Sequence, residues 1–460
     1  MKNTKLIQLL ETFSVSEFND FGKFLNSPFH NENAKMRLLY NYLKKYHPDY
    51  SHKDFTKENT YYCLYSAGEN YDDKKLRERF SDMMRLAEEF LSILYIRKKP
   101  IEQKRQTLYE YVSRGLDVHF NKKNNEIRKI LDETEIKDVD YFMNEFICES
   151  DKNVFFAGRE LLGRRKSVFV DLAGEIDLFL KYVSSRMLIY YVLIENWKEG
   201  LNYKFESKFY ESVISFIEDN NMTEYPFVKA LYLRLKIIEN GEDDSLYYDL
   251  KNLFLNNPDK IERQHMIRIA TILHNDATGR YLQGKEQFEI ERFEIMKYQL
   301  ENDMIYDERA WLSRENYFNY VSASINLNDL KWAEEFIKIY TDKIDPKKRE
   351  DACCFAKALL CYHKKEYDEA LTELSRIKGN DYVYQLKIKA LHTRIYFELD
   401  DLEKVLVIID SLKHYVSSNL LIPQTFKRRY TNYNNILYKL TRLKLNPDEF
   451  KASKLIDEIK

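Results

Sequence analysis

The sequence predicts an all-α protein, a solenoid of helical hairpins behind an N-terminal helical module, on three observations. Turn formers are scarce, with 11 Gly and 8 Pro in 460 residues, far below the usual ~7% and ~5%. That scarcity disfavours sandwiches, barrels and Gly-rich nucleotide-binding folds. Apolar residues recur at helical spacing along nearly the whole chain. Similar segments begin near residues 330, 367 and 402.

The elements follow in order. Ser14-Val15-Ser16-Glu17 reads as a capping box, and Phe18, Phe21 and Leu25 then share one helical face. Ser27-Pro28 stops that helix, because the residue before a proline is pushed out of the α region. A second helix is expected near Lys35 to Tyr46, ended by His47-Pro48. Leu76, Phe80, Met83, Ala87, Phe90 and Leu94 alternate in steps of four and three, capped by Asp72 or Asp73 and closed before Pro100. This run is too short for a coiled coil and reads as one core helix of a bundle. Longer helices are expected near 106–133, 138–158 and 171–198. The β-like run Val405 to Ile409 sits within helical spacing and is assigned to a helix. The chain therefore divides into a module at 1–100, connecting long helices at 101–170, a repeat array at 171–446 and a tail helix at 447–460.

The repeats carry the strongest signal. Leu330/Ala333/Ile337, Tyr367/Ala370/Leu374 and Leu402/Val405/Ile409 show the same apolar, small, apolar spacing. Ala358 to Ala370 adds a small residue, a turn and a second-helix start, with Lys365 where a glycine would be usual. In these features the chain resembles the tetratricopeptide repeat, a 34-residue helix–turn–helix unit. The resemblance is clearest over 315–415, and Tyr247 and Phe288 mark two degenerate second helices upstream. Ser14 to Asn31 (SxxEFxxFxKFLxSPFxN) and the segment starting at Tyr71 also resemble bacterial helical-repeat proteins of no assigned activity.

Charge and composition exclude several functions. Lys plus Arg is 73 and Asp plus Glu 75, giving a net charge of −2, which argues against a chain that coats nucleic acid. Tyr (36) and Phe (28) are abundant; low-GC codon usage and helix packing both account for this. The opening residues contain no apolar stretch of signal-peptide length, and the longest apolar run, Met187 to Ile194, is far short of the ~18 residues a membrane span needs. The expectation is a cytoplasmic protein without a membrane segment. Its five cysteines, in no paired framework, are expected to be reduced thiols.

No catalytic, cofactor or metal motif stands out. Cys353, Cys354, Cys361 and His363 lack the turn of a structural zinc site and read as packing residues. Gly158 to Ser167 half-mimics a phosphate loop, but arginines occupy the Lys and Ser/Thr positions. The expectation is a non-enzymatic protein that needs no cofactor.

Two binding regions are expected. The repeat resemblance implies a concave wall that holds a peptide or protein partner, lined by Glu315, Phe318, Ser322, Asn326, Tyr362, His363, Lys387, Arg394 and Glu398. The second region is a window between Asp410 and Asp448 without any acidic residue. It carries Lys413, Lys427, Arg428, Arg429, Lys439, Arg442 and Lys444, interleaved with Tyr415, Phe426, Tyr430, Tyr433 and Tyr438. Such a patch suits an acidic protein or single-stranded nucleic acid, or is simply a solvated face over Phe426, Tyr433, Leu437 and Leu440.

Overall fold

The protein is described by a computed structural model, covering all residues except 66–68, 158–164, 202–206, 242, 308–309, 380, 423 and 460. The half-mimic of a phosphate loop falls largely on 158–164, outside the described residues. Among the described residues the fold is all-α, with two isolated bridges at Tyr306, Leu312 and Ile344 as the β-like pairings. No helix among them is long and apolar enough to cross a membrane.

The chain forms two compact units, one built from 1–134 and 144–175, the other from 135–143 and 176–460. The first unit opens with α1 (Lys5–Leu10), α2 (Val15–Asn26), α3 (Ala34–Leu43) and α4 (Lys57–Leu64), all of which pack on α5 (Asp73–Arg97). α2 starts on the expected box: the Glu17 amide donates to Ser14 Oγ, and the Ser14 amide donates to the Glu17 carboxylate. α5 is capped by Asp72, whose Oδ1 accepts from the Lys74 and Lys75 amides. Its stripe Leu76, Phe80, Met83, Ala87 and Phe90 is buried against Phe13, Phe21 and Phe24, so it is a bundle helix.

α6 (Pro100–Ser113) and α7 (Asp117–Asp132) replace the single long helix expected over 106–133. Gly115, at φ +69°, breaks it, and the Leu116 amide donates back to the Tyr111 carbonyl (2.9 Å). A lone glycine in a helical pattern does not announce a break, but here it supplies the left-handed residue of a helix C-terminal turn. α8 (Val139–Ala157) and α9 (Arg165–Leu201) follow, each contributing to both units.

The second unit continues with α10 (Tyr210–Asp219), then hairpins α11 (Pro226–Glu239) with α12 (Asp244–Asn256) and α13 (Arg263–Leu282) with α14 (Gln287–Glu301). Next come α15 (Arg314–Asn326) with α16 (Leu330–Tyr340), α17 (Pro346–His363) with α18 (Tyr367–Ser375), and α19 (Tyr382–Glu398) with α20 (Leu402–Ser418). α21 (Gln424–Leu445) and α22 (Glu449–Ile459) close the series. Each hairpin's second helix packs on the first helix of the next, and the first helices α11 and α13, and α15, α17 and α19, also touch in succession. The upstream second helices carry Tyr247 and Phe288, both fully buried and in edge contact at 5.1 Å.

The repeat register is visible atom by atom. α16, α18 and α20 begin on Leu330, Tyr367 and Leu402, the first members of the three aligned sets. Their small positions Ala333, Ala370 and Val405 have no exposed surface. The turns before them share one device: Asn328, Lys365 and Asp400 are left-handed, and the following amides of Asp329, Glu366 and Asp401 donate to the carbonyls of Ser324, Cys361 and Tyr396. Gly284, with the Lys285 amide on the Arg280 carbonyl, repeats it between α13 and α14. Lys365 therefore holds a conformation that glycine would hold with less strain. Lys365→Gly should raise stability by about 0.5–1 kcal/mol, measured by denaturant titration; a loss would show that the Lys365 side chain supports the turn.

Ala370 of α18 and Ala358 of α17 are both fully buried in one core cluster, in two helices that pack on each other. Ala370→Leu should overpack that crossing and cost about 1–3 kcal/mol. A thermal transition matching the parent's would mean that the crossing is not tight.

All five cysteines are free thiols. Cys354 and Cys361 lie within the α17–α18 hairpin, and burial pushes both thiols up to about 11. They pack as small apolar groups, and no metal-ligand cluster among the described residues includes them.

Candidate interaction surface

The first helices α15, α17 and α19 bring residues far apart in sequence onto one face. Side chains of α15 reach the start of α19 directly. Phe318 stacks on Tyr384 (5.7 Å between ring centres), and Arg314 Nη2 lies 3.3 Å from Asp381 Oδ2. This changes the role of Phe318. It is 4% exposed, edge-on to Phe355 and stacked on Tyr384, so it is a core residue rather than a wall residue open to a partner. Asn326 is also committed elsewhere, donating Nδ2–H to Glu289 Oε1 (2.8 Å) on α14. Ser322 is half-buried on α15.

The remaining wall positions form a connected surface. Lys387 Nζ sits 5.0 Å over the Phe318 ring. Its pKa is lowered, first by burial; Glu315 opposes the shift, while Arg314 and Arg429 add to it. Arg394 lies over the Tyr433 ring at 5.9 Å, and Tyr433 is anchored by hydrogen bonds with Thr393 Oγ1 (2.9 Å) and the Ala390 carbonyl (3.2 Å). Tyr362 is raised in pKa by burial and by Glu398, with Arg394 opposing. His363 is lowered by burial and then by Arg394, which keeps its imidazole neutral near pH 7. Tyr430 feels both Arg429 and Arg394. Lys387, Arg394 and Arg429 thus share one aromatic-lined neighbourhood, and among the described residues none of the three makes an ion pair.

The basic window does not behave as one patch. Lys413 lies on α20, exposed, whereas the other six are on α21. Lys439 pairs with Glu458 of α22 (2.5 Å). Lys444 pairs with Asp400 (2.9 Å) and donates to the Phe397 carbonyl (3.1 Å). The expectation of wholly uncompensated charge therefore fails at these two positions, because their carboxylates come from outside the acid-free window. Arg442 folds over Tyr438, its Nε donating to the phenol oxygen (3.2 Å). Lys427 is half-buried, and Arg428 and Arg429 are exposed. Of the α21 side expected to face the core, Leu437 is buried and Phe426 and Tyr433 half-buried, but Leu440 is exposed.

Arg429 is the residue that joins the two expected regions, since it acts on Lys387 of α19. Sequence reading kept them apart because 42 positions separate the two residues. Arg314, at the start of α15, was missed altogether: it lies 4.8 Å over the Tyr384 ring, with Glu315 and Asp381 at its guanidinium. An arginine next to a serine helix cap gives no sequence signal for this role.

Fold and surface together define an all-α protein of stacked helical hairpins with a cationic, aromatic face. No family model, curated protein or solved structure matches the chain.

Proposed function

We propose that this chain is a non-enzymatic, tetratricopeptide-like scaffold of the cytoplasm that holds an acidic peptide segment on the face formed by α15, α17, α19 and α21. The observation that carries this reading is the group Lys387, Arg394 and Arg429, three cations without ion pairs among Phe318, Tyr430 and Tyr433. Lys387 is already partly desolvated over the Phe318 ring and so loses little on binding a carboxylate, while the exposed Arg394 and Arg429 offer charge to it from the rim. Glu315 and Glu398 at the margins would repel an over-long anionic ligand and so set its register.

Single-stranded nucleic acid is the competing occupant, because arginines beside tyrosines also suit phosphates and stacked bases. The pairing of Lys439 with Glu458 and of Lys444 with Asp400 shortens the phosphate track such a ligand would follow. Fluorescence anisotropy with a labelled Asp/Glu-rich peptide, an uncharged peptide of equal length and an oligothymidine distinguishes the two. The acidic peptide should bind most tightly and weaken as salt rises. Equal binding of the uncharged peptide, or tighter binding of the oligothymidine, would overturn the proposal.

A further inference from the structure

A second site lies well away from that face, where the start of α8 meets the start of α13. Asp138 is 7% exposed and caps α8, its Oδ1 accepting from the Asp140 and Tyr141 amides at 2.9 and 3.0 Å. Those two bonds fix the carboxylate and leave Oδ2 facing His265 Nε2 at 3.8 Å. Glu262, at the N-terminus of α13, brings its Oε2 to 3.8 Å from the same nitrogen. The His265 ring is itself held against Phe227, 4.3 Å between ring centres. All three residues belong to the second unit.

Hydrogen bonding does not explain this convergence. Both contacts at 3.8 Å are too long for a direct N–H···O bond, although Asp138 is buried and His265 nearly so. The spacing suits a shared central atom instead. Two ligand atoms each about 2.1 Å from one metal ion stand ~3.4 Å apart at a tetrahedral angle and ~3.8 Å apart at a wider one. The three ligand atoms lie within 4.8 Å of one another, and the half-exposed Glu262 can turn inward to close the remaining gap.

The charge balance is also right for a cation. The His265 ring nitrogen faces two carboxylates, Asp138 and Glu262. The two helix N-termini would repel a bare cation, but the Asp138 carboxylate already accepts from two of the free amides of α8. Lys137, next to Asp138 in the chain, is turned to the Tyr141 and Tyr225 rings at 5.3 and 5.9 Å.

We propose that Asp138, Glu262 and His265 bind one divalent first-row transition-metal ion, with water completing its coordination. One imidazole nitrogen and two carboxylate oxygens favour zinc, cobalt or manganese over the all-oxygen preference of calcium and magnesium. The ion would tie the start of α8 to α13, and this assignment is independent of the peptide-binding face.

The test uses the full chain and Zn2+ alone, followed by titration calorimetry and by metal analysis after equilibrium dialysis. The parent should bind one equivalent at micromolar free zinc near pH 7. Glu262→Gln, at a half-exposed position that leaves folding intact, should weaken binding by about 10–100-fold. Asp138→Asn should do the same, since asparagine keeps the helix cap but loses the anionic ligand. Cys353→Ser with Cys361→Ser should leave binding unchanged. Bound Co2+ should show the spectrum of a nitrogen and oxygen site, with no thiolate charge-transfer band. The assignment is overturned if the parent binds no zinc under these conditions, if binding survives Glu262→Gln unchanged, or if the cysteine variant abolishes it.

Discussion

Replacing Arg280 by Met should destabilise the second unit by about 3–5 kcal/mol, the largest single-site effect expected in this chain. Arg280 is 3% exposed on α13. Its Nε donates to Asp276 Oδ2 (2.8 Å), its Nη1 pairs with Asp244, and its Nη2 donates to the Asp243 carbonyl (3.2 Å). The guanidinium thus clamps α13 onto the start of α12, with the Phe288 ring of α14 5.3 Å away. Methionine keeps much of the packing volume but leaves Asp276 with the longer contact to Arg234, at 3.8 Å, in place of the 2.8 Å bond from Arg280. Asp244 suffers less, because Lys285 also reaches it at 2.6 Å. The cost therefore falls mainly on one carboxylate. The double variant Arg280→Met/Asp276→Leu should recover a large part of the loss. Denaturant unfolding of the parent and both variants checks this; a single-variant cost below about 1 kcal/mol would show that water reaches Asp276 and that the clamp adds little.

Neutralising the cationic face should separate binding from folding. Lys387→Gln, Arg394→Gln and Arg429→Gln together should weaken acidic-peptide binding by roughly 30–100-fold, about 2–3 kcal/mol, and flatten its salt dependence. Stability should move by no more than about 1–2 kcal/mol, because two ring contacts are lost but, among the described residues, no ion pair. Lys439→Gln with Lys444→Gln is the matched comparison. Those cations are already neutralised by Glu458 and Asp400, so peptide binding should barely change. If the second pair mattered as much as the first three, the ligand would run along α21 rather than across the first-helix face.

The sequence by itself determined the all-α class and the register of the hairpins led by Leu330, Tyr367 and Leu402, though not the break at Gly115. Caps such as Ser14, Asp72 and Asp401 act within a few residues, and the sets led by Leu330, Tyr367 and Leu402 sit on second-helix starts because spacing fixes which face a helix buries. Lys365 showed how far such reading reaches: its place in the turn was legible, and its left-handed backbone followed from that place. What only the tertiary structure decided depends on how closely the stacked helices approach. α15 meets the start of α19, so Phe318 is covered by Tyr384, 66 positions away, and does not face outward as the repeat resemblance implied. Glu458 and Asp400 arrive from other helices to cancel charges that stood alone in their own window. Asp138 meets Glu262 and His265 across more than a hundred residues, at a corner no local pattern describes. Helical periodicity is a short-range property that side-chain hydrophobicity encodes directly, whereas the partners a side chain finds are set by the packing angles between hairpins, which sum contributions from the whole unit.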